Sequence, residues 1–299
     1  MADQKSKNRV KLLKETAQKL SSESVLEYRE AQLFSRGVAE DWGGKNITWS
    51  TEWSEDFINK AFNLVVLARK LKDIDEIQSA RQCYRKAGRY FEWLTRAKDE
   101  FVFELPLQTM GAASFQLGGL PGIASAVMKS SQVETEDSNI YKSFLSADFF
   151  STVKLCNQYW DDLAAPEFAY DEFTNSIVAC IGSISSSILE QDSSRVSEAL
   201  DKLDNLSLFC MRATSKTNWL LVTLLYEVAK HFSNNSISNI TTNIKNMLSE
   251  QGKSKFDFYT RKLIKNNRPV LWHSQIAAIP ALESGKSFAL CTPTGSGKT

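Results

Sequence analysis

The chain has 299 residues, 42% of them hydrophobic and 24% charged, which is the composition of an ordinary soluble globular protein. Its 36 basic and 35 acidic residues nearly cancel. This balance argues against a polyanion-binding surface over the whole molecule, although a local one is compatible with it. Five cysteines lie far apart with no Cys-x-x-Cys pair, which excludes common zinc spacings and favours a reducing cytosol over a disulfide framework.

The amino terminus, "MADQKSKNRVKLLKE", is charged and has no apolar core of the kind that a signal peptide needs. No apolar run approaches the roughly 20 residues that span a bilayer. We therefore expect a cytoplasmic protein without a membrane segment.

The first hundred residues carry helical periodicity that one loop interrupts. Apolar positions every three or four residues predict helices over 7–36 and from about 75 to 98. Three glycines in residues 37–53 predict a loop, and Ser54 after it is a candidate N-cap. The apolar stripe of the helix that follows comprises Phe57, Ala61, Leu64, Val65, Ala68 and Leu71.

Residues 105–131 predict a helical hairpin. One helix carries Phe115 and the second carries Val127, with a turn at Gly118-Gly119 between them. Small residues from Gly111 to Ser114 are expected to let the two helices approach closely.

The helical pattern continues to residue 250. An acidic segment at 132–139 predicts a linker, and apolar stripes after it predict helices near 140–163, 168–190, 194–212, 216–232 and 236–250. Helix pairs joined by short turns resemble tetratricopeptide-like or related α-solenoid repeats, but no clean repeat period is present, so an irregular helical domain is favoured. The predicted fold is mainly α over 1–250, and its expected role is contact with a partner protein or with the rest of its own protein.

The stretch "GKSFALCTPTGSGKT" at 285–299 joins a short apolar run directly to a glycine-rich turn. Gly295 and Gly297 permit backbone torsions and a close approach that a side chain would block. The N–H groups from Gly295 to Thr299 are expected to surround a β-phosphate. Lys298 would contact the β- and γ-phosphate oxygens, and the Thr299 hydroxyl would bind Mg²⁺. The predicted nucleotide-contacting residues of this loop are Thr292, Thr294, Gly295, Ser296, Gly297, Lys298 and Thr299.

Two features, one in the loop and one upstream of it, narrow the class of P-loop protein to which this segment is similar. Thr292 stands where the usual pattern has glycine, and Gln275 lies upstream on a helix that is predicted after a turn at Arg268-Pro269. The form T-P-T-G-S-G-K-T resembles motif I of superfamily 2 helicases, and Gln275 resembles the adenine-recognising glutamine of DEAD/DEAH-box helicases. A glutamine amide offers one acceptor and one donor, which complement N6 and N7 of adenine and would reject guanine.

The resemblance covers residues from about 255 onward. In that family an aromatic residue upstream of the glutamine often stacks on the base, and Phe256, Phe258 and Tyr259 are candidates, with packing as the alternative. The basic run near them could contact a nucleic-acid backbone, but we favour the solvated face of a connecting helix. Its members are Lys253, Lys255, Arg261, Lys262, Lys265 and Arg268.

The resemblance implies the amino-terminal portion of an ATP-dependent DNA or RNA helicase, with ATP and Mg²⁺ as cofactors. Residues 251–299 would form the connecting helix, the glutamine motif, and the first strand and P-loop of a truncated RecA-like α/β domain. Hydrolysis needs an Asp-Glu pair after the P-loop and arginines from a second RecA-like domain. The Asp-Glu pairs at 75–76, 99–100 and 171–172 precede the loop and are rejected. We therefore assign no catalytic residue and expect a truncated chain that binds ATP weakly and is inactive alone.

Two alternatives stay open. Another class of P-loop ATPase is the first, although Gln275 and Thr292 argue against it. The second is a helical scaffold for protein contacts whose terminal P-loop is not functional.

Overall fold

The computed structural model describes residues 2–22, 30–32, 35, 51–97, 105–129, 136–163, 171–213, 215–241, 245–246 and 248–283. Across these ranges the chain is mainly helical and has no β-strand beyond one antiparallel bridge, between Ser236 and Val270. The mainly α prediction is confirmed there. No helix in the described ranges is long and apolar enough to cross a membrane. The predicted strand and P-loop at 284–299 lie outside the described residues.

The helices group into two compact units. In chain order they are α1 (Ala2–Ser21), α2 (Thr51–Lys72), α3 (Ile77–Ala97), α4 (Leu107–Leu117), α5 (Pro121–Lys129), α6 (Glu136–Leu145), α7 (Phe149–Leu163), α8 (Glu172–Glu190), α9 (Ser193–Arg212), α10 (Lys216–Asn234), α11 (Ile237–Ile240), α12 (Glu250–Lys265) and α13 (His273–Glu283). The first unit comprises 1–132 and 209–224, and the second comprises 133–208 and 225–299. The domain boundary expected after residue 250 stays a prediction.

In the first unit, α2 packs against α3. The predicted apolar stripe of α2 is confirmed, since all six side chains are at most 2% exposed. The ring centroids of Phe57 and Tyr90 lie 5.3 Å apart and join the two helices. The helix begins at Thr51, so Ser54 lies inside it and is buried, and the predicted N-cap is wrong. Ser54 is fully buried on the packed side of the helix, and burial in tertiary structure can override a local capping signal.

The predicted hairpin at 105–131 is confirmed as α4 and α5, but the small residues of α4 also serve a different neighbour. A Cβ added at Gly111 would lie 3.5 Å from Cβ of Phe91 and 3.7 Å from the carbonyl oxygen of Gly88, both on α3. A Cβ added at Gly88 would lie 3.1 Å from the ring of Phe115 on α4. The glycines therefore bring α4 close to α3, an approach that the sequence did not predict.

The second unit departs from the sequence at the predicted helix 140–163. A turn divides it into α6 and α7, with Ala147 in the left-handed region at φ 56°. The carboxylate of Asp148 accepts a hydrogen bond from the N–H of Ser151 at 3.1 Å and caps α7. Because α6 begins at Glu136, the linker expected at 132–139 is wrong over its last four residues.

The later helices are confirmed as α8, α9 and α10, while the predicted helix at 236–250 is wrong. The described residues of this range are helical at Ile237–Ile240 (α11) and at 245–246, but Thr241, Leu248 and Ser249 are not helical, and α12 begins instead at Glu250. The hydroxyl of Ser249 accepts from the N–H of Gly252 at 3.3 Å, which supplies an N-cap for α12. The core of this unit includes edge-to-face contacts among Phe144, Phe149 and Phe232, whose ring centroids are 5.5–6.1 Å apart.

Candidate functional site

The segment that leads into the glutamine motif is held against the end of α10. The N–H of Ile237 donates to the carbonyl oxygen of Pro269 at 2.8 Å, and the N–H of Leu271 donates to that of Asn235 at 2.9 Å. Two backbone hydrogen bonds therefore fix the chain immediately before α13, where Gln275 lies.

Gln275 occupies the first turn of α13, and its side chain caps that helix. Its Oε1 accepts a hydrogen bond from the backbone N–H of Trp272 at 2.8 Å. A glutamine three residues after the N-cap position commonly makes this contact, since it satisfies a donor that the helix start leaves unpaired. The sequence placed Gln275 on a helix correctly but did not predict this structural role.

The amide of Gln275 keeps capacity for a ligand. The side chain is half-buried, and within the described residues its Nε2 has no hydrogen-bond partner. A carbonyl oxygen has two lone pairs, so Oε1 can accept a second bond while it caps the helix. One donor and one acceptor are the groups that N7 and N6 of adenine require. Helix capping and adenine recognition are thus chemically compatible at this position.

The other predicted nucleotide-contacting residues, at 292–299, lie outside the described residues, and no distance joins them to Gln275. Contact of Lys298 with phosphate and of Thr299 with Mg²⁺ stays a prediction. In the part of the chain that the structure describes, no group of three or more His, Cys, Asp or Glu side chains is close enough to hold a metal ion.

The rejected Asp-Glu pairs have structural partners where they are described. Asp75 lies in the turn between α2 and α3 at φ 61°, and the carboxylate of Glu76 is 2.5 Å from Nζ of Lys14. Asp171 is the N-cap of α8 and accepts from the N–H of Phe173 at 3.2 Å. The remaining pair lies outside the described residues. Helix connection and capping account for the two Asp-Glu pairs that lie in the described residues.

Thiol chemistry is disfavoured at the four described cysteines. All four are buried and unpaired as disulfides. Burial raises the pKa of Cys83 and of Cys156 to about 12, and it also raises the pKa of Cys180 and Cys210. Reactive cysteines are accessible and have lowered pKa values, so these four are packing residues.

The three aromatic candidates on α12 have different environments. Phe256 is half-buried and, with Leu263 and Leu271, lines an apolar groove of about 410 Å³. Phe258 and Tyr259 are 68% and 67% exposed. Packing in this groove therefore explains an aromatic side chain at Phe256, whereas the exposed ring of Phe258 is not explained by packing.

The basic run around these rings faces solvent, as expected from the sequence. Lys253 is the exception, because its Nζ lies 2.7 Å from the carboxylate of Glu250. The other acidic residue of α12, Asp257, pairs with Lys245 at 2.7 Å. Five cations are exposed and have no ion-pair partner among the residues that the structure describes: Lys255, Arg261, Lys262, Lys265 and Arg268.

No protein-family model matches this chain, and no curated protein matches it significantly. The interpretation of residues 268–299 accordingly rests on the motif residues themselves. Of these, Gln275 is the one whose surroundings are described.

Proposed function

We propose that the chain is part of an ATP-dependent DNA or RNA helicase of superfamily 2, in which residues 268–299 bind ATP and Mg²⁺. The observation that supports this most is the position of Gln275 at the start of α13, upstream of a complete T-P-T-G-S-G-K-T loop, with its amide donors available. A RecA-like α/β fold for the strand and loop at 284–299, and a cytoplasmic location, belong to the same proposal.

Each residue has a defined task in this proposal. Gln275 selects adenine, Gly295 and Gly297 let the backbone approach the phosphates, and Lys298 neutralises phosphate charge. Thr299 would be the protein ligand of Mg²⁺, which would supply positive charge to offset that of the phosphates. Among these residues none activates water, so we assign nucleotide binding and no catalytic step to them.

Ligand-observed saturation-transfer NMR tests the proposal, because it detects weak binding. We expect a signal for ATP with Mg²⁺ that exceeds the signal for GTP at equal concentration. Lys298→Ala should abolish it, since the loop loses the side chain that neutralises phosphate charge. Lys154→Ala is the matched control, because Lys154 is an exposed lysine on α7. Equal signals for the wild type and Lys298→Ala would contradict the proposal.

A helical interaction module is the second candidate. It is favoured by large apolar side chains that α9 leaves exposed near its end, Phe209 and Met211. This candidate predicts no nucleotide signal from the wild-type chain in the same experiment, together with a fully helical circular dichroism spectrum.

A further inference from the structure

The solvent-facing side of α12 repeats basic residues around a central aromatic ring. Relative to Phe258, Lys255 lies three positions before, Arg261 and Lys262 lie three and four positions after, and Lys265 lies seven positions after. In an α-helix these spacings place side chains on one face. All of them are exposed, so Phe258 projects from the middle of a row of cations.

The positive charge of this face is not neutralised locally. The two carboxylates of α12 are engaged elsewhere, Asp257 with Lys245 and Glu250 with Lys253. The four cations around Phe258 have no ion-pair partner in the described part of the chain. They are therefore available to a polyanion, although the net charge of the whole chain is only +1.

Exposure of two adjacent rings is the second, independent feature. Phe258 and Tyr259 are both about two-thirds exposed, although burial of such rings is worth about 1.5–3 kcal/mol each. Tyr259 and Lys255 also line the apolar groove of about 410 Å³ beside α12. A flat, unstacked base has room against either ring, with its phosphate toward the cations.

We propose that this surface, the α12 face (Lys255, Phe258, Tyr259, Arg261, Lys262 and Lys265), binds single-stranded nucleic acid. The cations contact successive phosphates, and the rings stack on bases without reading their sequence. Phe258 and Tyr259, which the resemblance offers as candidates for stacking on adenine, are assigned here to the bases of a nucleic-acid strand instead. The α12 face contains neither Gln275 nor the loop at 292–299, so the inference goes beyond the function proposed above.

The same features disfavour other partners. Duplex nucleic acid keeps its bases stacked and offers the rings nothing to stack on. A membrane-binding helix needs a continuous apolar face, whereas Leu263 and Ile264 of α12 are half-buried and its exposed rings stand among cations. An acidic protein segment would satisfy the cations but gives no specific reason for two exposed rings.

Fluorescence anisotropy with labelled oligothymidylate and oligouridylate of about 15 nucleotides tests the proposal, in low salt and without ATP. We expect saturable binding that Phe258→Ala weakens about fivefold or more, because one stacked base is lost. Phe258→Trp should preserve binding. Arg261→Ala combined with Lys262→Ala should reduce the slope of log K against log salt by about 0.7 for each cation removed.

The matched control is Lys129→Ala combined with Lys154→Ala, which removes the same charge from exposed positions on α5 and α7. It should leave both affinity and salt slope nearly unchanged. Because every substituted side chain is exposed, circular dichroism should show that each variant is folded.

Three results would overturn the proposal: no saturable binding in low salt, equal affinity for Phe258→Ala and the wild type, or tighter binding to a duplex of the same length. Sedimentation with phosphatidylserine vesicles that is lost in Phe258→Ala, without oligonucleotide binding, would identify a membrane surface instead. Lys298→Ala should not alter oligonucleotide binding, so failure of this proposal and failure of the nucleotide proposal are distinguishable.

Discussion

Gln275 and Trp272 are joined by two hydrogen bonds, since Oε1 of Gln275 accepts from the N–H of Trp272 at 2.8 Å and the N–H of Gln275 donates to the carbonyl oxygen of Trp272 at 2.9 Å. The first bond holds the amide in one orientation before any ligand arrives. A ligand that uses the remaining donor and acceptor then loses less side-chain entropy on binding. The structural and the proposed recognition roles of Gln275 can be separated by substitution.

Gln275→Glu keeps the acceptor that caps α13 but has no N–H to donate to N7 of adenine. We expect its free energy of unfolding to stay within about 0.5 kcal/mol of the wild type, and its preference for ATP over GTP to disappear. Gln275→Ala should lose the same preference and also about 0.5–1.5 kcal/mol of stability, because the helix start loses a hydrogen bond. Urea denaturation and saturation-transfer NMR on both variants measure the two effects, and an unchanged ATP preference in Gln275→Glu would exclude adenine recognition by this side chain.

A buried ion pair in the first unit gives a second prediction. Nζ of Lys86 lies 3.1 Å from Oε2 of Glu30, both side chains are about 4% exposed, and the hydroxyl of Tyr90 donates to Oε1 of the same carboxylate. Lys86→Met removes this cation from beside a buried carboxylate. We expect a loss of about 3–5 kcal/mol in the free energy of unfolding, measured by urea denaturation.

The control for Lys86→Met is Lys154→Met, where the side chain is exposed and the expected change is within about 0.5 kcal/mol. Adding Glu30→Gln to Lys86→Met should recover part of the loss, since the buried group is then neutral. Equal stability for Lys86→Met and its control would show that the pair contributes nothing net.

The two glycines around the α4–α5 turn predict effects of opposite sign. Gly119 has φ of +75°, a conformation that costs an L side chain roughly 1–2 kcal/mol, so Gly119→Ala should destabilise by about that amount. Gly122 lies in α5, and an added Cβ would meet no atom within 4 Å, so Gly122→Ala should stabilise by about 0.5–1 kcal/mol. Thermal unfolding followed by circular dichroism compares them, and a shift of the same sign in both would contradict the assignment of this turn.

Apolar periodicity was sufficient to predict α2 and its buried stripe, because both depend on which residues recur on one face. It missed the break between α6 and α7 because Ala147, which adopts the left-handed conformation there, is not the glycine that usually marks such a helix end. In the candidate functional site, too, the sequence predicted the local helix but not the packing between separate segments. The sequence placed Gln275 on a helix, but it could not tell which of Phe256, Phe258 and Tyr259 is buried, since the groove beside Phe256 is formed partly by Ile237 and Leu271 from outside α12.

The buried thiols predict a loss of stability at alkaline pH. Burial raises the pKa of Cys83 and of Cys156 to about 12 in the folded protein from an ordinary value of 9.0, and burial also raises the pKa of Tyr141 well above its ordinary value. Above about pH 9 the thiols ionise in the unfolded chain but not in the folded one, so their contribution is complete below pH 9 and is lost as pH rises toward 12. Each thiol should lower the free energy of unfolding by about 1.4 kcal/mol per pH unit in that window.

Cys156→Ala isolates one of these thiols, because it removes the titrating group from the packed contact between α7 and α8. The substitution leaves a small cavity that lowers stability equally at every pH, so the informative quantity is the slope and not the stability itself. Between about pH 8 and about pH 10.5, urea denaturation should give a fall in the free energy of unfolding that is smaller than that of the wild type by about 2 kcal/mol, because only the part above pH 9 lies in the titration window. Cys210→Ala is the comparison, since burial raises the pKa of that thiol less and it should flatten the slope less. An unchanged slope in Cys156→Ala would mean that this thiol already ionises in the folded protein, and its assignment as an inert packing residue would then be wrong.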